Sequence, residues 1–177
     1  MGAELTIKIA GEAGHGMQTI GAALRRLFNK MGLYIFSSQD VMSRIRGGNS
    51  FFQLRISGRP LYTLREKSDI VVALDKPSVA LHREKVSPEG ILVLDRKKFN
   101  ITDTDKAFFD VPFYDLANKI GGSELFINSV ALGVLGGITR IEFKYLDGIL
   151  RSTFAAKSEE VIAKNIEAAR AGYDFSK

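Results

Sequence analysis

The sequence contains no cysteine. Disulfides, thiolate metal sites and cysteine-ligated iron–sulfur clusters are therefore excluded from it. Imidazole is nearly as scarce. His15 and His82 are the two histidines, and two scattered ligands make a poor zinc site. No apolar run approaches the ~20 residues that a membrane-spanning helix requires. The opening MGAELTIKIAGEAG lacks the basic and apolar regions of a secretory signal, so the expected location is the cytoplasm. Internal repeats, low-complexity tracts and linker-like stretches are also lacking, and residues 1–177 read as a single domain. A chain of this length buries roughly two-thirds of its unfolded surface. A composition of 45% hydrophobic and 25% charged residues suits that core.

The charge is unevenly placed. The net charge is +5. Between Val41 and Lys67 stand Arg44, Arg46, Arg55, Arg59, Arg65 and Lys67 against Glu66 alone, so this one segment carries the whole excess. It reads either as a solvated basic surface or as a docking site for phosphate, carboxylate or an acidic partner.

Hydrophobic periodicity divides the chain into alternating strands and helices. Leu5–Ala10 alternates and then meets glycines, as a first strand would. Met17–Met31 places Ile20, Ala23, Leu24, Leu27, Phe28 and Met31 at helical spacing, with Gly32 suited to the C-terminal cap. Leu33–Phe36 reads as a second strand. Phe51–Ser57 sets Phe52, Leu54 and Ile56 against Gln53 and Arg55, which predicts an antiparallel or edge strand with one wet face. A turn at Ser57–Pro60 offers Leu61–Leu64 as its hairpin partner. Asp69–Leu74 and Gly90–Leu94 are apolar enough for central strands, and Ala107–Val111 reads as a further one. Pro77 suits the first turn of a helix running to about Val86. Helices are predicted over Pro112–Ile120, Leu125–Ile138, Glu142–Phe154 and Ser158–Gly172. The fold class is α/β, a three-layer α/β/α domain whose sheet is mostly parallel with an antiparallel hairpin or edge strand.

Three motifs carry chemistry. Gly11-Glu12-Ala13-Gly14-His15-Gly16 lies between the first strand and the first helix. Glycines there permit a sharp turn and close approach of backbone to a ligand, and the helix start that follows favours an anion. The spacing is G-x-x-G-x-G, unlike the dinucleotide fingerprint, and no Lys-Ser or Lys-Thr follows as in a P-loop. Ser37 and Ser38 stand where a ribose-binding acid would end the second strand, with Asp40 just beyond. A plain tight turn is the competing reading. His15 suits hydrogen bonding in that loop better than proton transfer, and His82 suits packing. The second motif, Ser43-Arg44-Ile45-Arg46-Gly47-Gly48, is an adjustable cationic loop whose arginines can grip carboxylate or phosphate with paired hydrogen bonds, or simply a basic loop without a ligand. The third is Asn128, a polar side chain in an apolar helix. It is expected to cap that helix or bond a neighbouring loop.

In this order, GEAGHG, SRIRGGNSFFQLRIS, DIVVALD and INSVALG resemble the γ domain of 2-oxoacid:ferredoxin oxidoreductases over residues 4–140. His15 replaces the family's usual glutamine. The first two motifs look closest to γ domains fused ahead of a thiamine-pyrimidine domain, notably in 2-oxoglutarate-type enzymes. The chain is expected to be a γ subunit or an N-terminal γ domain. The resemblance implies an enzyme that oxidatively decarboxylates a 2-oxoacid to an acyl-coenzyme A and reduces ferredoxin. It also implies that thiamine diphosphate, magnesium and iron–sulfur clusters sit on partner subunits, consistent with the lack of cysteine and of a Gly-Asp-Gly diphosphate motif. Coenzyme A is the co-substrate expected near this chain. Gly11, Gly14, His15, Gly16, Arg44, Arg46, Gly47 and Gly48 are the expected contacts to it or to the catalytic subunits. No residue of this chain is expected to be catalytic or to bind a metal. Isolated from its partners, the chain would self-associate as a homodimer through exposed apolar patches. Two other readings stand: an independent Rossmann-like nucleotide-binding oxidoreductase, and a nucleic-acid-binding module using the basic stripe near Phe51 and Phe52. No recognised binding motif supports the latter, so neither nucleic acid nor membrane is expected as a partner.

Overall fold

The computed structural model describes residues 4–12, 17–40 and 49–177. Six strands form one sheet: β1 (Leu5–Glu12), β2 (Tyr34–Asp40), β3 (Asn49–Ser57), β4 (Ser68–Ala73), β5 (Val86–Leu94) and β6 (Phe108–Asp110). Seven α-helices accompany them among the described residues: α1 (Met17–Lys30), α2 (Lys76–His82), α3 (Arg96–Phe99), α4 (Phe113–Gly121), α5 (Ile127–Ile138), α6 (Phe143–Thr153) and α7 (Glu159–Ser176). No single described helix is long and apolar enough to cross a membrane.

The sheet order is β2-β3-β1-β4-β5-β6. β1, β4, β5 and β6 run parallel, while β3 is antiparallel to both β1 and β2. The α/β class with a mostly parallel sheet therefore holds. β3 is indeed antiparallel, but it is not an edge strand, and its second face is not wet. Gln53 is buried and donates from Nε2 to the Arg65 carbonyl at 2.6 Å. Arg55 donates to the Thr63 carbonyl at 3.0 Å and to Glu4 at 2.7 Å. Residues 58–67 run back over β3 and satisfy its polar side chains, so the alternation reports a polar cover instead of solvent. Leu61–Leu64 accordingly forms no strand; the hairpin partner of β3 is β2.

The two sheet faces differ. One carries the main core, where Ile7, Ile9, Leu54, Ile70, Val72 and Val93 meet α1, α4, α5, α6 and α7. The other carries a smaller cluster of Val71, Ala73, Leu92 and Leu94 against Val79 of α2 and Phe99 of α3. α5 is buried along most of its length and lies directly on α7. A Cβ added to Gly133 would meet the Ala169 backbone, and one added to Gly172 would meet the Val130 carbonyl. Gly172 therefore does not end its helix, as the sequence suggested; α7 continues to Ser176 because the glycine serves this backbone crossing.

Two helices on the thinner face start on aspartate caps. Asp75 accepts from the Ser78 N–H at 2.8 Å, with Pro77 in the first turn of α2. Asp95 accepts from the Lys98 N–H at 2.9 Å to start α3, which ends at Asn100 in the left-handed region, φ 53°. α3 lay outside the sequence prediction, since four residues are too few to show a helical period.

Candidate functional site

In an open sheet of parallel strands, ligands enter at the carboxyl ends of the strands, where helix starts and loops surround a crevice. Here that end gathers the last residues of β1, β4, β5 and β6. Because β3 is antiparallel, its first residues lie there too. Register pairs Glu12 with Asn49 and Asp40 with Phe51. The residues that border the GEAGHG motif and those that border the SRIRGG motif are thus neighbours on the sheet. Leu74 is tied in beside them, its N–H donating to the Ala10 carbonyl at 2.9 Å.

Of the expected contact residues, Gly11 is described, and it belongs to β1, paired with Ser50. That corrects its assignment to a loop: the strand continues through Gly11 and Glu12 because β3 supplies partners that far. Gly14, His15, Gly16, Arg44, Arg46, Gly47 and Gly48 lie outside the described residues.

An open cavity of about 420 Å³ occupies the same end, lined by Leu74, Tyr114, Ser123, Glu124, Leu125, Ile127 and Asn128. Its walls are held from below by Asp95, which is 3% exposed. The Asp95 carboxylate starts α3 through Lys98 N–H and also accepts from the Tyr114 N–H at 3.2 Å, near the start of α4. The Tyr114 ring carries the Lys98 ammonium 4.0 Å from its centroid and meets Phe99 edge-on. Its hydroxyl donates to the Leu74 carbonyl at 3.4 Å, a long bond. Burial, followed by the nearby carboxylates of Glu124, Asp75 and Asp95, raises the Tyr114 pKa, so the phenol stays protonated as a donor.

Asn128 does not play the structural part expected of it. It is the second residue of α5, whose N-cap is Phe126 with no side-chain capping bond. Its Oδ1 is buried and has no hydrogen-bond partner among the described residues. A buried amide oxygen without a donor is costly unless a ligand or partner supplies one. The cavity is lined by Asn128, whose Oδ1 is buried without a donor among the described residues, by a phenol and by an apolar wall. These are binding groups. Among the described residues no three His, Asp or Glu side chains converge to hold a metal.

His82 is a packing residue, as expected. It is 8% exposed and its ring meets Phe51 edge-on at 5.6 Å. Burial, reinforced by the Lys8 ammonium, lowers its pKa to about 4. Among the described residues of the basic segment, Arg55, Arg65 and Lys67 have partners. Arg55 and Arg65 both reach Glu4, Lys67 donates to the Glu84 carbonyl, and Glu66 pairs with Lys85.

Sequence reasoning missed Tyr114, Leu74 and the Ser123–Leu125 turn, which come from separate segments and converge only in the fold. It also placed Asp40 beyond the second strand, whereas β2 runs on to include it. That acid still cannot serve as the ribose ligand of a dinucleotide fold. In that fold the second strand lies directly beside the first, and here β3 separates them.

Comparison with known proteins agrees with this fold. The family model described as pyruvate ferredoxin/flavodoxin oxidoreductase matches residues 6–175. The ketoisovalerate oxidoreductase subunit VorA of Methanothermobacter thermautotrophicus is 27% identical over 98% of this chain and 37% of its own length. Among solved structures, the 2-oxoglutarate:ferredoxin oxidoreductase of Magnetococcus marinus, with 2-oxoglutarate, coenzyme A and succinyl-CoA bound, superposes with a TM-score of 0.88 at 26% identity. That match covers 98% of this chain and 31% of the other. The γ subunit of the keto/oxoacid ferredoxin oxidoreductase of Geobacter sulfurreducens shares the fold, with a TM-score of 0.81 at 19% identity over 97% of this chain and 98% of its own. The chain thus spans about a third of the length of VorA and of the Magnetococcus protein.

Proposed function

The chain belongs to the pyruvate ferredoxin/flavodoxin oxidoreductase family, and from that membership we propose that it acts as a single γ-type domain of a 2-oxoacid:ferredoxin oxidoreductase, forming one wall of the site that receives coenzyme A. In the complete enzyme a 2-oxoacid is oxidatively decarboxylated, the acyl group passes to coenzyme A, and the electrons go to ferredoxin. Thiamine diphosphate, magnesium and iron–sulfur clusters belong to partner subunits in this reading, and so does the choice among 2-oxoacids. The enzyme works in the cytoplasm, and the chain alone is inactive.

The observation that carries the proposal is Asn128, a residue with a buried Oδ1 that lacks a donor among the described residues, lining a cavity beside the strand ends that border both glycine-bearing motifs. Coenzyme A suits such a place chemically. Its pantetheine arm offers amide N–H donors to Asn128 and apolar carbons to Leu74 and Ile127. Its phosphates are assigned to Arg44 and Arg46, which grip such groups in pairs. Gly11, Gly14, His15, Gly16, Gly47 and Gly48 complete the proposed contact surface with coenzyme A or the catalytic subunits.

The test is reconstitution with the thiamine- and cluster-bearing subunits, followed by 2-oxoacid- and coenzyme A-dependent reduction of ferredoxin or a viologen dye. Asn128→Ala, and separately Arg44→Ala with Arg46→Ala, should raise the apparent KM for coenzyme A by about tenfold, the loss of one or two good hydrogen bonds, and leave the KM for the 2-oxoacid unchanged. Wild-type KM values in both variants would refute the assignment. Purification of the chain alone with a tightly bound nucleotide would instead favour an independent nucleotide-binding enzyme.

A further inference from the structure

The opposite end of the sheet carries a second feature that the coenzyme A reading does not use. Glu4 precedes β1 and Ser57 ends the antiparallel β3, so both lie at the amino end of the parallel strands. An open trough of about 460 Å³ runs there, lined by Glu4, Arg55, Arg59, Pro60, Leu61, Tyr62 and Thr63. Arg55 and Arg65 converge on the single Glu4 carboxylate, at 2.7 and 3.2 Å. Arg59 stands beside them, and its guanidinium has no carboxylate partner among the described residues. Three guanidinium groups thus face one carboxylate, leaving a local excess of positive charge.

The turn that presents these groups is fastened in place. The Arg59 N–H donates to Ser57 Oγ at 3.0 Å, and Arg55 Nη1 donates to both the carbonyl and the hydroxyl of Thr63, at 3.0 and 3.1 Å. Pro60 fixes its own φ. On this fixed turn Tyr62 is 81% exposed. An exposed tyrosine beside an uncommitted arginine, on backbone that need not be ordered on binding, is the composition of an interface anchor. The trough is too open to enclose a small ligand, which a pocket normally buries by 70–90%.

We propose that the Arg59–Tyr62 turn docks a carboxylate-bearing surface of a partner subunit, at the end of the sheet remote from the coenzyme A wall. The proposal rests on the reading that the chain works within a multi-subunit oxidoreductase. Charge complementarity selects the occupant: a surface of aspartate and glutamate side chains completes the Arg55–Arg59–Arg65 group, with Tyr62 packed at its centre.

The experiment uses the complex purified through a tag on the catalytic subunit, and measures how much of this chain is retained as salt is raised. Arg59→Glu should lower retention by about tenfold at a given salt concentration, since it places a like charge against the partner. Tyr62→Ala should also lower it, and Arg59→Lys should retain most of it. Because both side chains are exposed, the variants should keep wild-type circular dichroism and melting temperature. The proposal is overturned if Arg59→Glu and Tyr62→Ala are retained like wild type while the complex still reduces ferredoxin; in that case the enzyme assignment stands and the docking surface alone is wrong. If the wild-type chain never co-purifies with such subunits, the enzyme assignment fails and this inference falls with it. If the isolated chain forms a dimer that Arg59→Glu or Tyr62→Ala dissolves, a second copy occupies the turn and the acidic-partner proposal is again overturned.

Discussion

The α5–α7 crossing allows one substitution to be predicted with opposite signs at two glycines. In Gly133→Ala the new Cβ would stand 2.7 Å from the Ala169 carbonyl carbon and 2.9 Å from its Cα. The Ala169 carbonyl oxygen would be closer still; ordinary carbon contacts need about 3.5–4.0 Å, so the helices must part by more than about 1 Å. The atoms in the way are backbone, which cannot swing aside. Parting them loosens a seam in which Val130, Ala131, Val134, Ala168 and Ala169 are fully buried. Overpacking of this kind costs about 1–3 kcal/mol, and the clash with rigid backbone places it near the top of that range. Alanine's better helix propensity returns up to about 1 kcal/mol, leaving a net loss of about 2 kcal/mol. Gly148 in α6 is exposed, and a Cβ there meets nothing within 4 Å. Gly148→Ala should therefore gain about 0.5–1 kcal/mol from propensity alone. For a chain of this size each kcal/mol moves Tm by about 2–4 °C. The two variants should bracket wild type in thermal and urea unfolding, with unchanged m-values. If both shift the same way, or if Gly133→Ala matches Gly148→Ala, the close approach of α5 and α7 is refuted.

The remaining predictions concern polar groups. Asp95→Ala removes the acceptor for two backbone N–H groups, Lys98 and Tyr114. It should cost about 3 kcal/mol in urea unfolding and loosen the cavity wall, whereas Asp95→Asn should cost less because it can still accept. His82, with its folded pKa lowered to about 4 against an ordinary 6.5, binds fewer protons folded than unfolded between those values. Its contribution is present above pH 6.5 and lost as pH falls towards about 4, amounting to about 1–3 kcal/mol; His82→Gln should flatten that part of the stability-versus-pH curve. Asn128→Ala should leave the Tm of the isolated chain within about 2 °C, because no hydrogen bond to Oδ1 is lost. A large drop would mean that Asn128 is structural after all.

Much of the fold was legible because its signals are local. Asp69–Leu74 is apolar on both faces and became central β4; Pro77 marked the start of α2; the period of Ile20, Leu24, Leu27 and Phe28 marked α1. The misreadings share one cause, which is that the deciding contact lies far away in sequence. Gln53 and Arg55 look like a wet face until Arg65, Thr63 and Glu4 are seen to cover them. Gly172 looks like a stop until Val130 is found against it. Gly11 looks like a loop residue until Ser50 pairs with it. For α3 a signal did exist: Asp95 as a cap, and Asn100, a residue type that tolerates the left-handed region, five positions on.

The candidate site depends on the same kind of distant contact, and the sheet order decides what kind of site it is. A strand, a glycine loop and a helix suggest a nucleotide fold, and Asp40 at the end of β2 strengthens the suggestion when only sequence neighbours are considered. Inserting β3 between β1 and β2 removes it. The acid is moved to the outer strand, two strands from the end of β1, and its place beside Glu12 is taken by Asn49, the first residue after the SRIRGG motif. A single antiparallel strand thereby replaces a ribose-binding carboxylate with the border of an arginine-bearing segment. The same exchange makes the residues that border two motifs, separated by about thirty residues in the chain, neighbours on the sheet.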